Sequence, residues 1–342
     1  MKKSKDGNNI TIKEVAAEAG VSIATVSRII NGQDVVSPEL AERVNSAVKK
    51  LHYQPNSLAR ALKVRESLSI GLVIPDIENP FFPALVRGVE DAARQHGYSV
   101  ILCNTDGRQQ LEEKYIRLLA GKQTDGILFT GGSGNKILNM LTALMIPIVI
   151  LDRRLPLAKL NTVTADNRLG AFLAAEHLLK TDRRRIAFIG GPPKLPTSED
   201  RLTGYQDALM NYGVNFRKSL LFSGDFTFAG GGQAARALVE SGTAFDAVFA
   251  TNDVMAIGVI DYLHKTGRAV PDDVAVVGYD DILPAVWYKP SLTTIRQPVY
   301  AMGQAAVQML IENLNSPQDA AKMQVFEPQL VIRESSSRGE GH

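Results

Sequence analysis

The chain of 342 residues has one cysteine and five histidines, which leaves little from which to build covalent staples or metal centres. A lone thiol, Cys103, excludes an intramolecular disulfide and a cysteine-based metal cluster. Inside the strand-like run YSVILCNT it suits a small core hydrophobe. The histidines form no group at metal-ligand spacing. Long apolar runs are missing as well. The longest, Leu144 to Leu151, is broken by Pro147 and falls well short of the roughly 20 residues that cross a bilayer. MKKSKDGNNI at the N-terminus has the lysines of a signal peptide but neither its apolar core nor its cleavage site, so a cytoplasmic protein with no membrane partner is expected. No H-E-x-x-H, P-loop or G-x-S-x-G occurs, GGSGN lacking the closing glycine of the last. The expectation is a binding protein and not an enzyme, with no catalytic residue, metal or cofactor.

What is present is ordinary in amount and uneven in placement. A content of 45% hydrophobic and 22% charged residues is that of a globular protein, long enough for about two or three domains. The net charge of +2 hides an asymmetry: residues 1–67 carry 11 Lys and Arg against 7 Asp and Glu, and the remainder carries 27 against 29. A basic head on a slightly acidic body suits a polyanion-binding module attached to something else.

The head has legible punctuation. Thr11 and Glu14 make a T-x-x-E capping box that starts a helix whose apolar positions are Ile12, Val15, Ala16 and Ala19, and Gly20 ends it. Ser22 is a good N-cap for IATVSRII, which Asn31-Gly32 closes; Ser37-Pro38 opens a third helix running to about Leu51. In the middle helix Val26, Ile29 and Ile30 share one face and leave Ile23, Ala24, Ser27 and Arg28 pointing elsewhere. Short helices with a glycine turn between the first two describe a helix-turn-helix. SLARALKVRES, behind Pro55-Asn56, reads as a linker with helical propensity, too short to be stable in isolation.

From Leu68 onward buried-strand runs alternate with helical segments: LSIGLVIPD, YSVILCNT, GILFTGG and IPIVILD, then RIAFIGG, LLFSGD, AVFATND and VAVVGYD. That alternation implies parallel sheets covered on both faces, in what look like two copies of one architecture. Ligands of such sheets bind outside the carboxyl ends of the strands. Here those ends carry PDIENPFF, LDRR, TND and GYDD.

From Thr11 to about Arg333 the chain resembles the lactose/ribose-repressor (LacI) family of bacterial transcription regulators. TIKEVAAEAGVS, ATVSRIING, VSPEL and LHYQPN carry the resemblance in the head; NPFF, RLTGY, TNDVMAIG, VVGYDD and LTTIRQP carry it in the body. LCNTDG and GDFTF are similar to the ribose-repressor branch. The resemblance implies a small all-α helix-turn-helix head and an α/β periplasmic-binding-protein-like core of two parallel-sheet lobes. The expected division is a DNA-binding domain over 1–54, a hinge over 55–67 and an effector-binding and dimerisation core over 68–342. Within that core one lobe takes about 68–166 and 297–325, the other about 167–296 and 326–335. It implies a homodimer on a palindromic operator, controlled by a small molecule.

The resemblance also assigns roles. In a helix-turn-helix the second helix lies in the major groove with its first residues against base edges. Arg28 has the fork to meet guanine O6 and N7 with two hydrogen bonds. Ile23 and Ala24 offer only apolar contact, as to a thymine methyl, and Thr25 and Ser27 suit phosphates. Leu62 matches the hinge leucine that wedges into the minor groove beside its dimer mate, kinking the duplex. For a sugar effector, Phe81, Phe82 and Phe226 would face the ring, and Asn79, Asp152, Arg153, Arg201, Asn252, Asp280 and Gln297 would hold its hydroxyls. NPFF with LDR points to a pentose such as ribose. Two alternatives stay open: a regulator answering to a non-sugar metabolite or a protein corepressor, and a sugar-binding transport protein. The ending RESSSRGEGH has no leucine heptads to support tetramers.

Overall fold

The computed structural model describes residues 10–30, 37–53, 67–132, 134–154, 160–316 and 320–337. Two compact units emerge, Met1–Ser67 and Leu68–His342. In the first, α1 (Ile12–Ala19), α2 (Ile23–Ile30) and α3 (Pro38–Lys50) surround a small core of Val15, Ala16, Ala19, Val26, Val44 and Ala47. The Thr11 N–H donates to Glu14 Oε2 at 2.6 Å, and Ser22 Oγ accepts from the Thr25 N–H at 3.1 Å. The start signals read in the sequence are thus made physically. Gly20 stops α1 in the left-handed region at φ 63°. A Cβ there would stand 2.7 Å from Arg43 Nη2, the group that donates to the Ala19 carbonyl at 2.6 Å and pins the turn to α3.

The second unit has two lobes. In the first, β1 (Ser69–Ile74), β2 (Ser99–Asn104), β3 (Gly126–Phe129), β4 (Ile148–Leu151), β5 (Asn161–Ala165) and β11 (Met323–Phe326) form a parallel sheet in the order β11-β5-β4-β3-β1-β2. In the second, β6 (Ile186–Gly190), β7 (Leu221–Ser223), β8 (Ala247–Ala250) and β9 (Ala275–Val277) run parallel in the order β7-β6-β8-β9, beside a short antiparallel pair, β10 (Thr294–Arg296) and β12 (Gln329–Val331). In both sheets the strand order, not the strand direction, reverses at the first strand, β1 or β6, which places a ligand crevice there.

Helices cover both faces of each sheet. In the first lobe these are α4 (Phe81–Gln95), α5 (Gln109–Gly121), α6 (Asn135–Thr142) and α12 (Val299–Asn315); in the second, α7 (Asn167–Lys180), α8 (Pro196–Asn211), α9 (Phe228–Glu240), α10 (Asp253–Lys265) and the short α11 (Leu283–Trp287). Ile70, Leu72 and Ile74 of β1 join one apolar cluster while Val73 joins another, the mark of a strand buried on two sides. Cys103 of β2 is buried in that second cluster. The chain passes between lobes after β5, after β10 and after β11. Among the described residues no helix is long and apolar enough to cross a membrane.

Four strands escaped the sequence reading. β5, NTVTA, carries Asn and Thr at buried positions, where ladder bonds and side-chain bonds such as Thr164 Oγ1 to the Asp152 carbonyl (2.9 Å) satisfy the polar atoms. β11 is a sheet edge with Met323 and Val325 half exposed, and β10 and β12 span only 3 residues each.

Candidate functional site

On the head, the first turn of α2 stands clear of the core. Ile23 is 44% exposed although strongly apolar, Ala24 and Arg28 are exposed, and Thr25 and Ser27 are half-buried. Thr25 Oγ1 and Ser22 Oγ lie 2.9 Å apart, so Thr25 also helps to cap its own helix. Val26 alone of this turn is fully enclosed. The helix therefore presents an apolar start and one guanidinium outward. Leu62 lies outside the described residues.

In the core, nine of the ten side chains expected to meet an effector line one chamber of about 40 Å³: Asn79, Phe81, Phe82, Asp152, Arg153, Arg201, Phe226, Asn252 and Asp280. That is a few times the ~10–15 Å³ a single water needs. Strand ends of both lobes converge there, from the β1–α4 and β4–β5 loops on one side and the segments after β7, β8 and β9 on the other. Phe81 and Phe82 meet edge to face, centroids 5.0 Å apart. Asn79 Oδ1 accepts the Phe81 N–H at 3.1 Å, fixing the turn that aims both rings. Asp152, Phe226 and Asp280 have φ of 70°, 68° and 116°. Such strained backbone persists where the surroundings over-determine it, and it clusters at ligand sites. Gly191 makes room for one of them, since a Cβ there would lie 2.0 Å from the Phe226 ring.

Arg201 is the hub. Its Nε donates to Asn167 Oδ1 at 2.8 Å and its Nη1 to the Thr251 carbonyl at 2.5 Å. Its guanidinium lies 3.8 Å from the centre of the Tyr279 ring, and Nη2 is 3.9 Å from Asp280 Oδ1. Burial lifts the Asp280 carboxyl to about 7; Arg201 and the Gln297 hydrogen bond oppose the rise and Asp152 adds to it. Asp152 is likewise raised by burial against the pull of Arg153 and Arg201. Behind them Asp253 is raised further by burial and by the charge of Asp280, while accepting from Thr294 Oγ1 at 2.5 Å.

Gln297 does not line the chamber; its Nε2 donates to Asp280 Oδ1 at 2.8 Å and holds that carboxylate from behind. Three further residues belong to the site. Thr197 lines it directly; a proline-led helix start after a strand, LPTSED, was the available signal. Tyr279 and Asn167 orient Arg201, and neither is singled out by the sequence. Asp152 Oδ1, Arg153 Nε and Gln297 Oε1 are buried with no hydrogen-bond partner among the described residues. A second chamber of about 470 Å³ shares Asn79, Phe82, Arg153 and Phe226 with the first. Arg154, after β4, donates from Nη2 to both oxygens of Asp200 on α8, at 2.5 and 2.6 Å, tying the lobes together. Among the described residues no group of His, Cys, Asp and Glu could hold a metal ion.

A helix-turn-helix unit followed by a two-lobed α/β core with a polar, aromatic cleft defines a class of ligand-responsive DNA-binding proteins. Residues 11–56 match the bacterial regulatory proteins of the lacI family, and residues 67–329 match the periplasmic binding proteins and sugar-binding domain of that family. A ribose operon repressor of Halalkalibacterium halodurans is 40% identical over 331 residues, covering 96% of this chain and 98% of the relative. The lac repressor dimer bound to operator and the anti-inducer ONPF superposes with a TM-score of 0.87 at 26% identity, over 96% of this chain and 99% of that one. A LacI-family regulator from Enterococcus faecium with bound ribose gives 0.71 at 29% identity, over 79% and 98%. The chain belongs to the LacI family and is a DNA-binding transcriptional regulator.

Proposed function

We propose that this regulator represses carbohydrate-utilisation genes, binding a palindromic operator as a homodimer in the cytoplasm, and that a pentose such as ribose is its effector. It performs no covalent chemistry. The observation that carries the effector reading is the partnerless buried acceptor Asp152 Oδ1, with the partnerless Arg153 Nε next to it in the chain, beside the aromatic walls of the chamber. Sugar hydroxyls supply O–H donors to such acceptors and accept from the guanidinium of Arg153 in return; the ring faces pack on Phe81, Phe82 and Phe226. The similarity to a ribose operon repressor and to a regulator holding ribose supports the pentose.

For DNA, exposed Ile23, Ala24 and Arg28 are disposed as a major-groove reader requires. Thr25 and Ser27 serve phosphates, and Leu62 serves as the minor-groove wedge. The face of α11 with Leu283, Val286 and Trp287 exposed to 59%, 46% and 68% favours burial against a second copy. Closure of the lobes around the sugar alters the arrangement of the paired heads. The coupling is reciprocal and typically about 1–3 kcal/mol.

Thermal unfolding of the full chain with ribose is the direct test. At about 100 times the dissociation constant a ligand adds roughly 2.7 kcal/mol, a clear upward shift. If ribose leaves the transition unmoved and another metabolite raises it, the pentose reading is lost while the DNA reading stands. Operator affinity must fall steeply with salt, and a flat dependence removes the phosphate-contacting head.

A further inference from the structure

The chain leaves the second lobe for the first at the end of β10 and returns between β11 and β12, so this antiparallel strand pair carries two of the three connections between the lobes. Two consecutive carboxylates grip the exit. Asp280 Oδ1 accepts Gln297 Nε2 at 2.8 Å, and Asp281 Oδ2 accepts Arg296 Nε at 2.6 Å. Both aspartates follow β9 in the left-handed half of backbone space, at φ 116° and 56°. Asp280 lines the inner chamber, whereas Asp281 does not.

Asp281 has a second partner. Its Oδ1 accepts Arg333 Nη2 at 2.5 Å. Arg333 is itself anchored in the second lobe, its Nη1 donating to the Leu292 carbonyl and its N–H to Thr293 Oγ1, at 2.7 and 2.8 Å. The residues after it are fixed as well. Ser335 Oγ donates to the Val276 carbonyl at 2.6 Å, and Ser336 Oγ lies 2.7 Å from Nε2 of the buried His177 on α7. The side chains of Asp281 and Arg333 are 9% and 14% exposed, against 52% for Arg296. One carboxylate thus ties the residue at the crossover to a fixed point of the lobe.

An effector biases two arrangements of the lobes through contacts that differ between them, and packed, hydrogen-bonded elements must carry that difference onward. Asp280 is where a ligand in the chamber meets this loop. With Arg296 free, a shift at Asp280 would be absorbed by bending of the loop and of β10. With Arg296 held, the shift must appear at the crossover.

We propose that Asp281 is a positioning residue for the allosteric response: by clamping Arg296 to Arg333 it converts a change at Asp280 into a change of angle between the lobes. It holds neither effector nor DNA. This rests on the inner chamber being the effector site and adds the route by which its occupancy leaves the cleft.

The test compares the full chain with its Asp281→Asn, Arg296→Gln and Arg296→Lys variants. DNA affinity is measured on a duplex selected by the parent from a random library, with and without saturating ribose, and ribose affinity by calorimetry. Asp281→Asn and Arg296→Gln should bind ribose, and DNA without sugar, within about threefold of the parent. The change in DNA affinity caused by ribose, typically about 5–150-fold for such coupling, should shrink to within about twofold of none in Asp281→Asn. It should shrink less in Arg296→Gln, where water already screens the exposed arginine, and Arg296→Lys, which keeps the charge and a donor, should respond like the parent. A full response in Asp281→Asn, or loss of ribose or DNA binding along with the response in both variants, overturns the proposal. Hydrogen exchange over residues 294–299 without ligand tests the clamp apart from the sugar. It should quicken about tenfold in Asp281→Asn and about threefold in Arg296→Gln, and unchanged rates overturn the proposal. Faster exchange in the variants of a parent that ignores ribose removes the pentose and keeps the clamp, and the coupling is then read with the metabolite that raises the parent's melting temperature.

Discussion

The reading face of the head and the cleft of the core are built in opposite ways. On α2, Ile23, Ala24 and Arg28 are exposed, and the stability of the unit comes from the other side, through Val15, Val26 and Val44. In the cleft, Arg201 is 5% exposed and bound to Asn167, Thr251, Tyr279 and Asp280 at once. A surface that meets a long external polymer can be chosen for contact alone. A cleft that closes on a small molecule must hold each polar group in place before the ligand arrives, so its contacts are also its scaffold. Substitutions on the first surface should change binding only, and substitutions in the second should change binding and stability together.

Arg201→Met tests the second half most severely. It leaves Asp280 and Asn167 buried without their partner, and breaking a buried pair in this way costs about 3–5 kcal/mol. The expected result is a large fall in the melting temperature of the core and loss of ribose binding. A variant that melts like the parent would show the network to be ligand-directed only. On the head, Arg28→Ala should cost about 1–3 kcal/mol of operator discrimination and leave the melting curve within roughly 0.5 kcal/mol. A drop in stability there would break the contrast between the surfaces.

How far each surface was legible in the sequence follows the same division. Helix starts and stops in the head are local chemistry: a hydroxyl or carboxylate three residues from an N–H, a glycine at positive φ. Thr11, Ser22 and Gly20 could therefore be read without knowing what lies elsewhere. The strands with continuous apolar runs were equally plain. β5 was hidden because its buried Asn161 and Thr164 find partners at Lys322 and Asp152, 161 and 12 positions away, and β11 because an edge strand need not look buried. In the cleft, strand-end residues could be named from topology. The support behind them could not, because Tyr279 and Asn167 become functional only through contact with Arg201, 78 and 34 positions away in the chain.

A smaller effect comes from pH. With its carboxyl raised to about 7, Asp280 keeps its proton in the folded protein where the unfolded chain has released it. Its contribution to stability is present below about pH 4 and is lost as pH rises through about 7. If the effector is the proposed sugar, its hydroxyls donating to the carboxylate favour the ionised form, so affinity should climb by up to about tenfold between pH 6 and 8, with proton release. Titrations in two buffers of different ionisation enthalpy measure that proton. Asp280→Asn should abolish the release, and persistence of the full pH dependence in that variant would assign it to another group.

The smallest effect expected is at the mouth of the cleft. Arg154 and Asp200 join the lobes through two short hydrogen bonds, yet the arginine side chain is 50% exposed, so water and salt weaken the pair to about 0.2–1 kcal/mol. Neither residue lines the chamber, so Asp200→Asn should act only through the balance between open and closed lobes. That predicts a two- to fivefold loss of ribose affinity, expressed mainly as faster release and diminished by salt in the parent but not in the variant. The melting temperature without sugar should stay nearly unchanged, unlike that of Arg201→Met. If Asp200→Asn lowers stability as much as affinity, the pair is part of the scaffold. The boundary between contact and support would then lie at the protein surface, further out than the buried network around Arg201.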